Sequence, residues 1–168
     1  MPGQPNAARS VRFPDGYGDP GEDRLPWSDI EEKLRAAANY WITTVGPSGR
    51  PHARPVDGVW VEGALCFGGS DGARWVRNLA ANPAVSVHLP SEAEAIILEG
   101  EAERISEPAH PLAEASAAAT REKYPHYFQG DNPMLSGFHP FWALRPRRAY
   151  AWRLEGFPQR ATRWTFAK

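Results

Sequence analysis

Apolar and polar residues alternate along this chain in short runs, and the runs predict a β-rich fold. Tyr40 to Val45 is dense in aromatic and β-branched residues and reads as a strand. Gly46-Pro47-Ser48-Gly49-Arg50 is a turn, and Pro51 to Val56 returns as the second arm of a hairpin. Val59 to Val61 and Ala64 to Phe67 flank a second tight turn at Glu62-Gly63. Ala84 to Leu89 alternates as a strand, and Ala95 to Ile105 reads as one long strand with a bend or bulge at Glu99-Gly100. Phe141 to Leu144, Ala149 to Leu154 and Arg163 to Phe166 are late strands.

Three segments carry helical spacing instead. Asp29 to Ala38 follows a capping-box pattern, Ser28 with Glu31, and puts Ile30 and Leu34 on one face. Arg74 to Ala81 is stopped by Asn82-Pro83, and Pro111 to Lys123 is alanine-rich. Tyr124 to Pro140 mixes proline, glycine and aromatics as a loop that either covers a substrate or packs against a second subunit. Short strands with peripheral helices point to an antiparallel barrel rather than a parallel sheet. Residues 1–24 are poor in large apolar side chains and read as a flexible N-terminal arm, with residues 25–168 as the folded domain.

Between the strand ending at Phe67 and the helix starting at Arg74 lies Gly68-Gly69-Ser70-Asp71-Gly72-Ala73. Glycine lets a backbone approach a ligand, and Ser70 or Asp71 is placed to cap the helix. The open N–H groups of a first helical turn favour an anion, and Arg74 and Arg77 add fork-shaped positive charge suited to phosphate. The competing reading is a solvated turn before a surface helix.

The formal net charge is −1, so nothing draws the whole chain to nucleic acid or an anionic membrane. Cys66 is the only cysteine, and the five histidines lack metal-ligand spacing, so no metal site is expected. His52 shares a strand face with Arg54 and is either a donor to a ligand or a surface histidine. No apolar run spans a bilayer and no secretory signal core opens the sequence, so a soluble, cytoplasmic protein is expected. No nucleophile motif supports hydrolysis, and the catalytic residues stay unassigned.

Taken in order, Trp41-Ile42-Thr43-Thr44-Val45, Gly49-Arg50-Pro51-His52-Ala53-Arg54-Pro55-Val56, Leu65-Cys66-Phe67-Gly68-Gly69-Ser70, Asn82-Pro83-Ala84-Val85, Glu99-Gly100-Glu101 and Leu144-Arg145-Pro146 resemble the pyridoxamine 5′-phosphate oxidase-like, FMN-binding split β-barrel family. The resemblance implies a homodimer with flavin at the subunit interface. It implies that Arg54, Pro55 and Val56 run beside the flavin, that Phe67 and Gly68 touch it, and that Ser70, Ala73 and Arg74 hold its phosphate. Of the late tryptophans, Trp152 or Trp164 is expected to face the cofactor. The residues depart from the oxidases themselves. Ala95 replaces a glutamine, no lysine follows Arg54, and Thr162-Arg163-Trp164 stands where an arginine–leucine–histidine motif binds the pyridoxal substrate. An oxidoreductase with another small-molecule substrate is therefore expected. The alternatives are a non-enzymatic flavin carrier or sensor, and a reductase using the 8-hydroxy-5-deazaflavin coenzyme.

Overall fold

The computed structural model describes residues 4–129 and 137–167. Nine strands and three α-helices follow in the order β1 (Arg9–Ser10), α1 (Trp27–Ala36), β2 (Tyr40–Val45), β3 (Pro51–Val56), β4 (Gly58–Val61), β5 (Ala64–Phe67), α2 (Arg74–Ala81), β6 (Ala84–His88), β7 (Glu94–Ile105), α3 (Pro111–Lys123), β8 (Phe141–Arg153) and β9 (Thr162–Thr165). A 3₁₀ turn at Pro125–Phe128 follows α3. Part of the predicted loop from Tyr124 to Pro140, residues 130–136, lies outside the described residues.

All strand pairs are antiparallel. The sheet runs β1-β9-β8-β7-β6-β2-β3, with β5 also paired to β8 and β4 to β5. β3 passes into β4 through Asp57 alone. The first half of this bent strand pairs with β2 and the second with β5, so the barrel is split at the bend. The fold is the expected antiparallel split β-barrel with peripheral helices.

Local chemistry explains the turns. Glu62 and Gly63 both take positive φ, 48° and 71°, as a two-residue hairpin turn between β4 and β5 requires. Pro51 and Pro55 cannot donate to β2, so the outward amides of β3 are those of residues 51, 53 and 55. Only Ala53 offers an N–H there, which makes this free edge a poor template for another strand.

The bulge at Glu99-Gly100 is present, with a second consequence on the partner strand. Glu99 pairs with Arg148 and Gly100 with Pro146, so Arg147 is the extra residue. Pro146 sits where the ladder is already interrupted, and β8 continues through it as one 13-residue strand rather than two. A Cβ on Gly100 would lie 2.8 Å from the Arg145 carbonyl oxygen and 2.8 Å from Leu144 Cδ1.

One other expectation is corrected. The capping box does not form: Pro26 precedes α1 with no side-chain cap, and Glu31 instead accepts from Trp60 Nε1 at 3.1 Å and pairs with Arg35. The N-terminal arm is laid along β9. Arg9 and Ser10 pair with Arg163 and Thr162, Pro5 bridges Phe166, and Phe13 packs on Phe157 with ring centroids 5.0 Å apart. Pairing with an open sheet edge uses backbone groups, so a segment poor in apolar residues can still be held.

The barrel core gathers Leu34, Tyr40, Ile42, Leu65, Val87, Leu98 and Leu144, with Trp27 packed edge-on against Trp60 and Trp164. A smaller cluster under α3 joins Cys66, Ile105, Leu112 and Tyr124. At the end of α3, Lys123 Nζ donates to Tyr40 Oη at 3.0 Å and to the Gly58 carbonyl at 2.9 Å, fixing the helix to the bend between β3 and β4.

Two measurements check this account. Gly100→Ala should lower stability by about 1–3 kcal/mol in urea denaturation, because backbone rather than a flexible side chain blocks the new methyl. Burial lowers the Lys123 ammonium from 10.5 to about 8. Between those values the unfolded chain keeps a proton that the folded chain has released, so this group adds stability as pH rises from 8. Burial holds the Cys66 thiol up at about 12 instead of 9.0, which acts in the opposite sense above pH 9. From pH 8 to 9 the stability of wild type relative to Lys123→Met should therefore climb; a flat difference contradicts the assignment.

Candidate functional site

The site is built where α2 meets the β2–β3 hairpin. Asn78, buried in α2, donates to Thr44 Oγ1 of β2 at 3.0 Å. This bond turns one face of α2 toward the hairpin, and Arg74 lies one turn earlier on the same face. A Cβ on Gly46 would lie 3.5 Å from Asn78 Oδ1 and 3.8 Å from Arg74 Nη2. Arg74 and Arg54 are both exposed, and both act electrostatically on His52 of β3. Their charges, together with partial burial as the largest cause, hold the imidazole below its ordinary value. Among the described residues neither arginine is in a salt bridge with a carboxylate.

The turn from Gly68 to Ala73 is braced from several sides. Ser70 Oγ accepts from Gly72 N at 3.3 Å, and the Ser70 carbonyl accepts from Ala73 N at 2.8 Å. Arg77 donates to the Gly72 carbonyl at 2.8 Å, so it holds the turn. Asp71 pairs with Arg104 of β7 at 2.9 Å. Neither Ser70 nor Asp71 caps α2, contrary to expectation: the helix starts after Ala73, uncapped by any side chain and with no acid in its first turn. The first amides of α2 therefore keep their donor capacity, and the helix dipole places positive potential there.

The two glycines that open the turn differ. A Cβ at Gly69 would lie 2.2 Å from Trp75 Cζ2, so this glycine exists to seat the Trp75 ring against the core. A Cβ at Gly68 meets nothing within 4 Å, and this position faces open space. Phe67 is turned inward, 2% exposed, with its ring 5.6 Å from Trp75. Val56 is also buried, whereas Pro55 and Ser70 are exposed. Because Gly58 pairs with Phe67, the end of β3 and the end of β5 share one corner, with Arg54, Pro55 and Val56 on one strand and Phe67, Gly68, Ser70, Ala73 and Arg74 following from the other.

The late tryptophans are not part of that stretch. Trp164 is 2% exposed and packed on Trp27 with centroids 5.4 Å apart, which makes it a core side chain. Trp152 pairs with Ala95 and packs on Phe13 and Phe157. It stands ten residues along β8 from Trp142, the partner of Phe67, a strand distance of about 30 Å.

A cleft of about 630 Å³ opens beside the turn. Gly68, Ser70 and Asp71 form one wall, and α3 and the 3₁₀ turn form the other with Arg121, Tyr124, Tyr127 and Phe128; Phe138 and His139 also line it. Tyr127 donates to Asp57, which raises the phenol's pKa. The aromatic loop residues singled out from sequence thus line a cavity. Neither Asn78 nor Asp57 was given a role from sequence. The signal for Asn78 was an amide on the otherwise apolar inner face of α2.

The fold is a split β-barrel, and at one corner of it an uncapped helix start lies beside two arginines. The chain belongs to the pyridoxamine 5′-phosphate oxidase family, whose model matches residues 27–153. Among solved structures it is similar to a heme binding protein from Mycobacterium smegmatis (24% identity, TM-score 0.63, covering 86% of this chain and 60% of that one). It is similar to a pyridoxamine 5′-phosphate oxidase-related, FMN binding protein from Nostoc punctiforme (20% identity, TM-score 0.57, 85% and 91%). It is also similar to a FAD-binding protein from Mesorhizobium loti (14% identity, TM-score 0.57, 84% and 96%). At these identities the likeness carries the fold. No curated protein matches the chain. No helix among the described residues is long and apolar enough to cross a membrane.

The contrast between the two glycines can be measured. Gly69→Ala should cost about 1–3 kcal/mol in urea denaturation, because Trp75 must leave its seat. Gly68→Ala should stay within about 0.5 kcal/mol of wild type. Equal losses would contradict the separation of roles.

Proposed function

We propose that this protein binds FMN with its phosphate at the turn between β5 and α2, and works as a flavin-dependent oxidoreductase on a small molecule. The observation that carries the reading is the pair Arg54 and Arg74, without carboxylate partners among the described residues, beside the uncapped start of α2 and the open position at Gly68. Two guanidiniums and free helix amides fit a phosphate dianion, and an acid-free first turn does not oppose it. Arg74, Arg54, Ser70 and the first amides of α2 would hold the phosphate. Val56, Pro55 and the main chain at Phe67 and Gly68 would flank the rest of the cofactor. The bound flavin would supply hydride-accepting chemistry that no side chain here offers. The adjoining cleft, rich in tyrosine and phenylalanine, is assigned to the substrate, and its aromatic walls suit a planar molecule. The reading includes a homodimer, in which the second copy brings Trp152 to the site. Pyridoxamine phosphate is not the substrate proposed, because Ala95 offers no amide and Trp164 is buried in the core.

The absorption spectrum of the purified protein is the first test. Flavin bands support the reading, and an intense heme band in their place overturns it. Losing a charged phosphate contact costs about 2–3 kcal/mol, so Arg74→Ala should weaken FMN binding roughly tenfold to a hundredfold. Riboflavin, which lacks the phosphate, should bind both forms alike. Equal weakening of the two ligands removes Arg74 from the phosphate site.

A further inference from the structure

His52 lies within the field of Arg54 and Arg74, and the proposed function gives it no role. Its ring is half-buried, and Nδ1 is covered with no hydrogen-bond partner. Two guanidiniums act on it, Arg54 from its own strand and Arg74 from α2. β2, the strand beside it, carries no charged side chain, so no carboxylate on that strand offsets them. A covered ring nitrogen next to two cations that hold no anion is a poor place for a proton and a poor hydrogen-bonding environment for a neutral ring. Both defects disappear when an anion enters. A phosphate dianion cancels the field of the arginines and offers acceptor oxygens.

We propose that His52 is neutral in the free protein and takes up one proton from solvent when the phosphate of the cofactor binds, so that cofactor affinity is set by pH through this residue. The inference rests on the FMN reading and deepens it. The ring passes from imidazole to imidazolium, and no other bond is made or broken. By linkage, whatever factor phosphate binding adds to the proton affinity of His52, protonation adds to the affinity for phosphate. His52 is thus a positioning residue whose charge becomes a third cation of the site only when the site is filled.

The experiment is calorimetric titration of the protein with FMN and with riboflavin, at several pH values between 5.5 and 8. Each is run in two phosphate-free buffers of different ionisation enthalpy. The buffer dependence of the heat counts protons. Relative to His52→Gln, wild type should take up a further fraction of a proton with FMN and none with riboflavin, and its FMN affinity relative to that variant should fall about tenfold as pH rises across the range. The phosphate of FMN titrates in the same window, with a second pKa of about 6. His52→Gln keeps that ligand contribution and removes the imidazole, so the difference between the two proteins isolates His52. Equal proton counts and equal pH profiles in the two overturn the inference while leaving FMN binding intact. No FMN binding by wild type overturns the cofactor reading and this inference with it. If His52→Gln fails to fold, the imidazole titration of wild type followed by NMR decides: its midpoint moves up on adding FMN, or stays where it was and the inference fails.

Discussion

The buried hydrogen bond between Asn78 and Thr44 is the constraint on which the site depends. It is one amide on an apolar helix face, meeting one hydroxyl on the inner face of a strand. Removing the hydroxyl strands the buried amide, at a cost of about 1–3 kcal/mol, whereas Thr44 Oγ1 also reaches the His52 carbonyl at 3.4 Å. Its consequence is positional more than energetic. It fixes the rotation of α2, and with it the direction of Arg74, four residues earlier. Without that rotation the arginine would be one more solvated charge. With it, Arg74 stands beside Gly46 and His52, and three basic groups from two elements converge on one corner.

A second constraint delivers the other half of the corner. β3 and β4 are one strand bent at Asp57, and the two halves pair with different neighbours. The bend is held from behind by α3, through Lys123 and by Tyr124, whose hydroxyl accepts from Gly58 N at 3.1 Å. Because Gly58 is paired with Phe67, holding the bend also holds the end of β5 and the start of the glycine turn. The same α3 then forms the far wall of the 630 Å³ cleft. One helix thus fixes the geometry of the turn and encloses the space beside it.

Much of this was legible in the sequence. Strand-forming composition and the turns between them marked β2, β3 and β5 residue by residue, and Asn82-Pro83 marked the end of α2. Gly100 announced the irregularity in the β7–β8 ladder. Pro146 was misleading in isolation, since a proline normally divides a strand. Only its register opposite Gly100 explains why β8 runs through it. β1 left no signal, because two residues held by backbone pairing carry no pattern. Within the site, the turn and Arg74 were visible as motif, and His52 and Arg54 as neighbours on one strand face. Gly68 and Gly69 look identical in sequence, and only the position of Trp75 separates a packing glycine from an open one. The late tryptophans were ambiguous because burial and pocket lining draw on the same residue type; Trp164 went to the core.

The central claim is that the corner between β3 and α2 receives a phosphate. The most direct measurement is a crystal structure of the protein grown with FMN. The account predicts the phosphate within hydrogen-bonding reach of the Arg74 guanidinium and the first amides of α2, with the ring system passing Gly68. Flavin bound with its phosphate in the cleft against Arg121, or with Arg74 and Arg54 still facing solvent, would contradict it.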